Sequence, residues 1–377
     1  MEQRIIISGN LQNELAIALS ECEHDRIFVL TDENTYIHCW PVISNYFCLK
    51  NAQVITIGAS DAHKTLETVS KVWEALINGG ATRHSCLINL GGGMVTDLGG
   101  FAASTFKRGI DFINIPTTLL AMVDASVGGK TGFNFAGLKN EIGVFNDSKF
   151  VILDTQFLKT LDQENLLSGY AEMLKHALIS KEAMWAQHVA FDVETLNTPE
   201  SLEKLQAMLA ESVDVKEHVV KEDPYEQGIR KALNFGHTFG HAFESWSLNR
   251  AQHPTANNQH PSPILHGYAV AFGIICELYL SAIKCGFPTE KMQQTVTFIR
   301  ENYGRLVINC DDYPTLIQLM QHDKKNVSGL INFTLLEDIG RIRINQTATV
   351  DEIKEVLDFF REGKKPLLTS PVGKVFC

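Results

Sequence analysis

The chain has 377 residues, of which 45% are hydrophobic and 20% are charged, and its formal net charge is −11 at pH 7. This length can bury a large core and favours two domains. The acidic balance argues against nucleic acid or an anionic membrane as the main partner, although a local basic pocket for a small anion stays open. Because we find neither a stretch of about 18 apolar residues nor a signal-peptide layout, we expect a cytoplasmic protein without a membrane span.

The first half of the chain alternates short β-branched runs with amphipathic runs. Strands are predicted at 26–32 (RIFVLTD), 52–58 (AQVITIG), 85–90 (SCLINL) and 111–116 (DFINIP). Between the second and third strands, apolar residues recur at helical spacing: Leu66, Val69, Val72, Trp73 and Leu76. Gly79 and Gly80 then end the helix. This alternation predicts an α/β fold, with a parallel sheet covered by helices on both faces.

A glycine-rich turn follows the third predicted strand. In LINLGGGMVTDLGGF, residues 87–101, Gly91, Gly92 and Gly93 separate an apolar strand from a helix. Glycines allow the backbone to approach a phosphate, and a helix N-terminus favours an anion. The same glycines also suit a plain tight turn, so both interpretations stay open. Asp97 either complements the helix dipole or contacts a ligand.

Basic residues form a second candidate site. VGGKTGFNFAGLKN, residues 127–140, places Lys130, Lys139 and Asn140 in a glycine-rich stretch. Four further basic residues complete a candidate anion pocket: Arg108, Lys175, Lys216 and Arg230. Spacing alone does not show that they converge, and each one singly suits a solvated surface.

After about residue 160 the pattern becomes helical. Helices are predicted at 168–179, 201–223, 231–246, 267–284 and 289–302. Ser168 is the expected N-cap of the first of them. The Pro-, Asn- and His-rich segment 251–264 predicts an irregular loop. We therefore expect a mostly helical second domain.

The stretch NFGHTFGHAFE, residues 234–244, contains a candidate metal site. His237 and His241 are one helical turn apart, on one face. Thr238 stands where an H-E-x-x-H motif would have glutamate. Histidine and carboxylate suit a divalent metal such as Zn²⁺. The candidate ligands are Glu172, His237, His241, His253, His260 and His266, and the histidine pair suits a structural role equally well.

Longer motifs occur in order from about residue 28 to about residue 345. They are GGGMVTDLGGF, FKRGI, IPTTLLAMVDASVGGKTGFN, LKNEIG, SGYAEMLKHALI, RKALNFGHTFGHA, HGYAVAFG and DKKN. Together they resemble the 3-dehydroquinate synthase family of the sugar-phosphate cyclases. The resemblance implies a homodimer of two-domain chains. It places a Rossmann-like, NAD-binding α/β domain at 1–160 and a mostly α-helical metal- and substrate-binding domain at 161–377.

The resemblance also implies an activity. The family converts 3-deoxy-D-arabino-heptulosonate 7-phosphate to 3-dehydroquinate and phosphate, in the shikimate route to aromatic amino acids. It is a carbon–oxygen lyase that uses NAD and a divalent metal, Zn²⁺ or Co²⁺. The reaction passes through transient oxidation by NAD, phosphate elimination, reduction and intramolecular aldol closure. The phosphate and carboxylate of this substrate require cations, which accounts for the lysines and arginines.

Residue by residue, the resemblance implies that Glu172, His237 and His266 bind the metal, while His241 lies near the substrate phosphate and takes part in proton transfer. The implied substrate residues are Asp124, Lys130, Asn140, Lys175, Lys216, Arg230, Asn234, the suggested acid/base Glu226, Lys324 (with Lys325 as the alternative), and Arg108, which reaches in from the other subunit. The implied NAD residues are Asp32, Asn34, Asp61, Lys64, Gly91, Gly92, Gly93, Asp97, Thr117, Thr118, Lys130, Lys139, Phe157 and Thr160.

The sequence departs from the family pattern at a few positions. Asn165 stands where a cofactor-side glutamate is usual, and Asp61 replaces a glutamate. Tyr268 follows His266 and Gly267 where glutamate is common. The loop before His266 is longer than is typical, and its own histidines compete as metal ligands.

Three other functions are compatible with parts of this pattern. Another sugar-phosphate cyclase would change some pocket positions, whereas Lys216, Arg230, Asn234 and His241 keep the identities of the family. An NAD- and metal-dependent polyol dehydrogenase would keep the glycine turn and the metal histidines, but it would need no cationic pocket. A non-catalytic nucleotide-binding regulator would have a broken metal triad.

Overall fold

The structure is a computed structural model that describes residues 3–22, 24–136, 138–196, 198–252, 262–321 and 331–363. The chain divides into two compact units. Unit 1 comprises Met1–Gly169 and Glu194–Glu217, and unit 2 comprises Tyr170–Val193 and His218–Cys377. The domains expected at 1–160 and 161–377 are defined by ligand binding, NAD for the first and metal and substrate for the second. This division stays a prediction.

A six-stranded sheet forms the centre of unit 1. The strands of this unit are β1 Arg4–Ile7, β2 Ile27–Asp32, β3 Gln53–Ile57, β4 Cys86–Gly91, β5 Asp111–Pro116, β6 Lys130–Phe135, β7 Leu138–Phe145 and β8 Phe150–Leu153. The sheet has the order β1-β8-β5-β4-β2-β3, and all of its pairs are parallel. The four strands predicted from the sequence are confirmed as β2, β3, β4 and β5.

Helices cover this sheet, whose central strands β2, β4 and β5 are mostly apolar and buried. All six residues of β4 are buried, as expected for a parallel strand with helices on both faces. The helices are α1 Leu11–Glu21, α2 Glu33–His38, α3 Trp40–Ile43, α4 Leu66–Asn78 and α5 Gly93–Thr105. The helix predicted before β4 is confirmed as α4, which ends at Gly79. Its residues Val69, Val72 and Leu76 are fully buried in the core of unit 1.

The next helices are α6 Gln163–Leu178, α7 Glu182–Val189 and α8 Pro199–Glu222. The prediction that Ser168 caps α6 is wrong, because the helix begins five residues earlier. Asp162 instead accepts a hydrogen bond from the backbone N–H of Asn165 at 2.7 Å. This contact satisfies one of the N–H groups that a helix leaves without an internal partner.

Unit 2 contains α9 His237–Gln252, α10 His266–Cys285, α11 Thr289–Tyr303, α12 Tyr313–Gln321 and α13 Val350–Glu362. Its strands β9 Asn332–Asp338 and β10 Arg341–Thr347 form an antiparallel pair. The helix predicted at 231–246 is wrong at its start, because a 3₁₀ turn at Ile229–Asn234 precedes α9. Gly236 between them has φ +81°, which interrupts helical geometry.

The helix α10 is apolar enough, by length and composition, to cross a membrane, but 72% of its 18-residue window is buried inside the protein. It is therefore a core helix, as occurs in soluble proteins. The predicted fold class, a parallel α/β part followed by a mostly helical part, is confirmed.

Candidate active site

Three potential metal ligands meet in unit 2. Glu172 lies on α6, His237 begins α9 and His266 begins α10. The Oε1 atom of Glu172 is 3.4 Å from Nε2 of His237 and 3.2 Å from Nε2 of His266. One ligand atom from each residue lies within 4.8 Å of the others. Two imidazoles and one carboxylate are the donor set of a catalytic zinc site, which leaves a coordination position open.

The electrostatics of this cluster keep the carboxylate ionised. Burial opposes the charge of Glu172, yet Lys175, His237 and His266 hold its pKa well below the ordinary value. Lys175 forms an ion pair with Oε2 of Glu172, and both side chains are buried. An ionised carboxylate is the form that binds a metal cation.

The two histidines differ in their surroundings. Burial lowers the pKa of His237 to about 4, so its imidazole is neutral at neutral pH. Burial also opposes the charge of His266, but Glu244 and Glu172 raise its pKa to about 10. Glu244 Oε2 lies 3.2 Å from Nδ1 of His266, and Phe235 O lies 3.1 Å from Nδ1 of His237. Both Nδ1 atoms thus have partners that orient Nε2 towards Glu172.

His241 lies beside this cluster. Its ring centroid is 5.3 Å from that of His237, at an interplanar angle of 88°, and 6.0 Å from that of His266. It does not belong to the close group of ligand atoms formed by the described residues. This position fits the expected division of roles between the two histidines of the motif.

Close packing of α9 against α10 brings the two ligand histidines together. A Cβ atom at Gly273 would lie 1.9 Å from the carbonyl oxygen of Gly236 and 2.7 Å from the backbone nitrogen of Gly240. Only glycine allows this approach. The rings of His237 and His266 are consequently 5.5 Å apart, although 29 residues separate them in sequence.

Three expected substrate residues of unit 2, Glu226, Arg230 and Asn234, lie on the segment that leads into α9. Asn234 donates a hydrogen bond to Oε1 of Glu226 at 2.7 Å. Arg230 is only 3% exposed, and its guanidinium donates to the carbonyl oxygen of Pro224 at 2.5 Å. The backbone N–H of Arg230 donates to Asp223 at 3.1 Å. These contacts fix the side chains that are expected to bind substrate.

In unit 1, the structure brings Lys216 to Asp124. The lysine lies on α8 and donates to both the backbone oxygen and the carboxylate of Asp124. Asp124 lies in a π-helical turn, Ala121–Ala125, a feature often found at functional sites. Both residues belong to the expected substrate set, whereas Lys130 begins β6 and is exposed.

A second polar network in unit 1 connects residues expected to contact NAD with Asn140, which is expected to contact the substrate. Lys64 is buried and donates to Asp97 and to Asn140, each at 2.5 Å. Burial raises the pKa of Asp97, against the opposing effect of Lys64. Asp61 lies 3.5 Å from Lys139 in an ion pair. This network spans α5, the β6–β7 hairpin and the turn before α4.

The glycine turn connects β4 to α5. Gly91 ends the strand and α5 begins at Gly93, as the sequence predicted. A Cβ atom at Gly91 would lie 2.5 Å from Val95, so the turn is also tight for steric reasons. The backbone N–H of Thr117 donates to Gly91 O at 3.0 Å, and Thr118 Oγ1 accepts from Ala121 N at 3.2 Å. Close packing against Val95 and the expected approach of a phosphate are compatible roles for these glycines.

The remaining expected residues are spread over unit 1. Asp32 caps α2 by accepting from the N–H of Thr35 at 2.8 Å, while Asn34 is exposed. Phe157 is buried and Thr160 is exposed. Lys324, Lys325, His253 and His260 lie outside the described residues.

Three expected site residues have positive φ angles without being glycine. The angles are +71° at Arg108, +50° at Asn140 and +59° at Glu226. Such backbone conformations are costly and concentrate at functional sites. They were not visible in the sequence.

The departure at Asn165 has a local explanation. Its side-chain amide donates to both carboxylate oxygens of Asp162, each at 3.0 Å. The residue that differs from the family pattern therefore forms an N-terminal contact of α6 with Asp162.

Glu244 is a residue near the metal cluster that the sequence analysis missed. It lies seven residues after His237 and three after His241, so all three fall on one face of α9. This spacing would have been enough to identify Glu244 from the sequence.

Comparison with known proteins gives a consistent result. Residues 54–168 match the family model for the 3-dehydroquinate synthase N-terminal region, and residues 169–326 match the model for the C-terminal region. The 3-dehydroquinate synthase of Parabacteroides distasonis is 52% identical over 362 residues, which cover 96% of this chain and 99% of that protein. That of Pyrococcus furiosus is 38% identical, with 95% and 98% covered.

A solved structure agrees in fold. The 2-epi-5-epi-valiolone synthase of Streptomyces hygroscopicus subsp. jinggangensis, with NAD⁺ and Zn²⁺ bound, is 25% identical and matches with a TM-score of 0.81. The match covers 97% of this chain and 98% of that chain. From the two family models and the full-length identity to its relatives, this chain belongs to the 3-dehydroquinate synthase family.

Proposed function

We propose that this protein is a 3-dehydroquinate synthase, a carbon–oxygen lyase that converts 3-deoxy-D-arabino-heptulosonate 7-phosphate to 3-dehydroquinate and phosphate. The observation that carries the proposal is the cluster of Glu172, His237 and His266 in a chain 52% identical to a 3-dehydroquinate synthase. The reaction belongs to the shikimate route to aromatic amino acids.

The proposed cofactors are NAD and a divalent metal, Zn²⁺ or Co²⁺. Glu172, His237 and His266 would hold the metal, since they offer a buried carboxylate and two imidazoles that converge. The turn at Gly91–Gly93 and the N-terminus of α5 would receive the NAD pyrophosphate. When bound, NAD supplies reversible hydride transfer and the metal supplies a Lewis acid.

Cationic side chains bind the anionic ends of the substrate. Arg230 donates to the carbonyl of Pro224, and a guanidinium can bind a phosphate or carboxylate through two parallel N–H groups. Lys216 is anchored by Asp124 and adds a second cation. Lys130, Lys175, Asn140 and Lys324 complete the proposed substrate set.

Proton movement is the proposed task of two groups. His241 lies beside the metal cluster, where an imidazole can accept or donate a proton near the substrate phosphate. Glu226 is held by Asn234 and is the proposed second acid or base. Lys175 keeps Glu172 ionised, so that carboxylate does not take the proton itself.

The larger-scale proposals follow from the family. We propose NAD binding by residues 1–160, metal and substrate binding by residues 161–377, a homodimer, and a cytoplasmic location. In the dimer, Arg108 would contact the phosphate bound by the other subunit. Its exposed side chain and its φ of +71° fit a residue presented outward.

Two other functions make different predictions. Another sugar-phosphate cyclase would use a different heptulose or hexose phosphate. A polyol dehydrogenase would accumulate NADH with an alcohol. The retention of Lys216, Arg230, Asn234 and His241 favours 3-dehydroquinate synthase over both.

The test is phosphate release from the heptulosonate phosphate by metal-stripped protein, with and without NAD and Zn²⁺ or Co²⁺. The proposal predicts release that needs both additions and leaves no net NADH. Glu172→Gln should abolish the release, whereas Glu182→Gln, at an exposed glutamate paired with Lys291, should not. Release without NAD, or NADH accumulation, would contradict the proposal.

A further inference from the structure

The carboxylate of a fully buried glutamate on α10 lies against the start of α9, the helix that carries His237. Glu277 is on α10, about three turns after His266, and is 0% exposed. Its carboxylate faces the first turn of α9 rather than solvent or the metal cluster. An ionisable side chain at such a place is costly unless its contacts are specific.

Three hydrogen bonds join the carboxylate of Glu277 to the backbone around His237. Its Oε2 accepts a hydrogen bond from the N–H of Gly236 at 2.6 Å. Its Oε1 accepts from the N–H of Thr238 at 3.0 Å and from that of Phe239 at 3.4 Å. One carboxylate thus holds the residue before His237 and the two residues after it.

The start of α9 needs an acceptor of this kind. The first N–H groups of a helix have no internal partner, and a Ser, Thr, Asp or Asn side chain usually accepts from one of them. Gly236 occupies the position before His237 and has no side chain. The negative charge of Glu277 also complements the positive end of the helix dipole.

We propose that Glu277 is a positioning residue for the metal site, which fixes His237 through the first turn of α9. This inference rests on the proposed function, in which His237 binds a divalent metal. The carboxylate also links α9 to α10, the helix that begins with the second histidine ligand. Metal–nitrogen bonds are short, about 2.0–2.1 Å, so a small rotation of this turn would misplace Nε2 of His237.

A glutamine cannot replace this carboxylate fully. Its amide has a single acceptor oxygen, and its NH₂ group would face a backbone N–H, which is also a donor. Glu277→Asp keeps both oxygens on a side chain shorter by one methylene. Glu277→Gln should therefore disturb the first turn of α9 more than Glu277→Asp does.

Ser281→Ala is the matched control. Ser281 is buried one turn further along α10, and its Oγ bonds Glu277 O and the N–H of Leu336. These two hydrogen bonds stabilise the same helix and lie within α10 and between α10 and β9. Loss of stability alone would affect this control as well.

The experiment measures Zn²⁺ affinity of metal-stripped protein by competition with a chromophoric chelator, the visible spectrum of the Co²⁺ form, and the melting temperature. We expect Glu277→Gln to weaken Zn²⁺ binding by about 10- to 100-fold and to change the Co²⁺ spectrum, as loss of a supporting contact does at other metal sites. Glu277→Asp should recover part of the loss. Ser281→Ala should bind Zn²⁺ as the unmodified protein does.

Equal Zn²⁺ affinity and Co²⁺ spectra in the unmodified protein and both Glu277 variants would overturn the positioning role alone. If Glu277→Gln does not fold, Glu277→Asp decides the question by the same readouts. Failure of the unmodified protein to bind Zn²⁺ would instead overturn the proposed function and this role with it.

Discussion

The metal cluster of unit 2 includes a buried ion pair. Lys175 pairs with Glu172, whose ionised form is thereby favoured. His237 is neutral because burial outweighs the attraction of Glu172. Breaking a buried pair by removing one partner leaves a charge without compensation, at a cost of about 3–5 kcal/mol. Substitutions at these residues will therefore change stability as well as activity, and both need to be measured.

His188 provides a pH prediction away from the metal cluster. It is fully buried on α7, its Nδ1 lies 2.8 Å from Met184 O, and burial lowers its pKa from 6.5 to about 4. Above pH 6.5 the residue is neutral in the folded and in the unfolded protein, so it has no effect on the pH dependence of the free energy of unfolding. As the pH falls from 6.5 to about 4, the unfolded chain takes up a proton on His188 and the folded protein does not. The stability of the folded protein therefore falls by up to roughly 3 kcal/mol.

His188→Asn should remove this contribution, so that the free energy of unfolding falls less steeply with acidification. Urea unfolding of metal-free protein at a series of pH values measures it. His218→Asn, whose side chain is 82% exposed, is the control and should keep the original slope. Identical slopes for the two variants would show that His188 is not buried in its neutral form.

At the scale of elements, the contact of α9 with α10 determines the metal cluster. Three glycines allow the two backbones to touch, and Glu277 fixes the first turn of α9. The 3₁₀ turn at Ile229–Asn234, which carries Arg230 and Asn234, leads directly into that first turn. The two candidate histidine ligands and part of the substrate set are thus placed by one local arrangement, while α6 supplies Glu172.

Gly273→Ala should disrupt this arrangement. Alanine improves helix propensity by about 1 kcal/mol, but the new Cβ would meet the backbone of Gly236 at 1.9 Å and cannot be accommodated by a side-chain rotation. We expect a net loss of stability of about 1–3 kcal/mol, as in other overpacked sites, together with weaker Zn²⁺ binding. Thermal unfolding and chelator competition measure the two effects.

Gly9→Ala is the matched control, because a Cβ there would have no atom within 4 Å. It should change neither property. A Gly273→Ala protein with normal melting and normal Zn²⁺ affinity would mean that α9 and α10 do not touch through this glycine.

The sequence alone predicted the helices and strands that are specified by a short-range pattern of apolar residues. The strands β2 to β5 are short apolar runs, and α4 has a clear helical period, so all were predicted. The hairpin of β9 and β10 was missed, because no individual helix or strand was predicted after residue 302. The start of α9 was misplaced, because the apolar pattern continues through Gly236, and only its φ of +81° breaks the helix.

The candidate site shows the same limit. The spacing of His237 and His241 was visible, but it left both as candidate ligands. Nothing local connects Glu172 to His237, which follows 65 residues later, because tertiary packing alone brings them together. The resemblance to a family supplied that connection, and it could not supply Glu277, which acts through the backbone.

At the scale of the whole molecule, the proposed dimer makes the site of one chain depend on Arg108 of the other. Arg108→Ala and Glu172→Gln should each inactivate the homodimer. Mixed dimers of the two variants contain one site with both an intact metal cluster and an intact Arg108 from the neighbouring chain. Random exchange of subunits should therefore restore about a quarter of the activity.

Subunit exchange under mild denaturant, followed by the phosphate-release assay, measures this recovery. Mixing each variant with itself is the control and should restore nothing. An inactive mixture that has exchanged subunits would show that Arg108 serves its own chain. A monomer in sedimentation would contradict the dimer itself.

The most direct test of the central claim is to identify the product formed from 3-deoxy-D-arabino-heptulosonate 7-phosphate with catalytic amounts of NAD and with Zn²⁺ or Co²⁺. A 3-dehydroquinate synthase predicts one 3-dehydroquinate for each phosphate released, over many turnovers for each NAD. A different carbocycle, or no turnover of this substrate while another sugar phosphate is cyclised, would contradict the account and assign the chain to another cyclase activity.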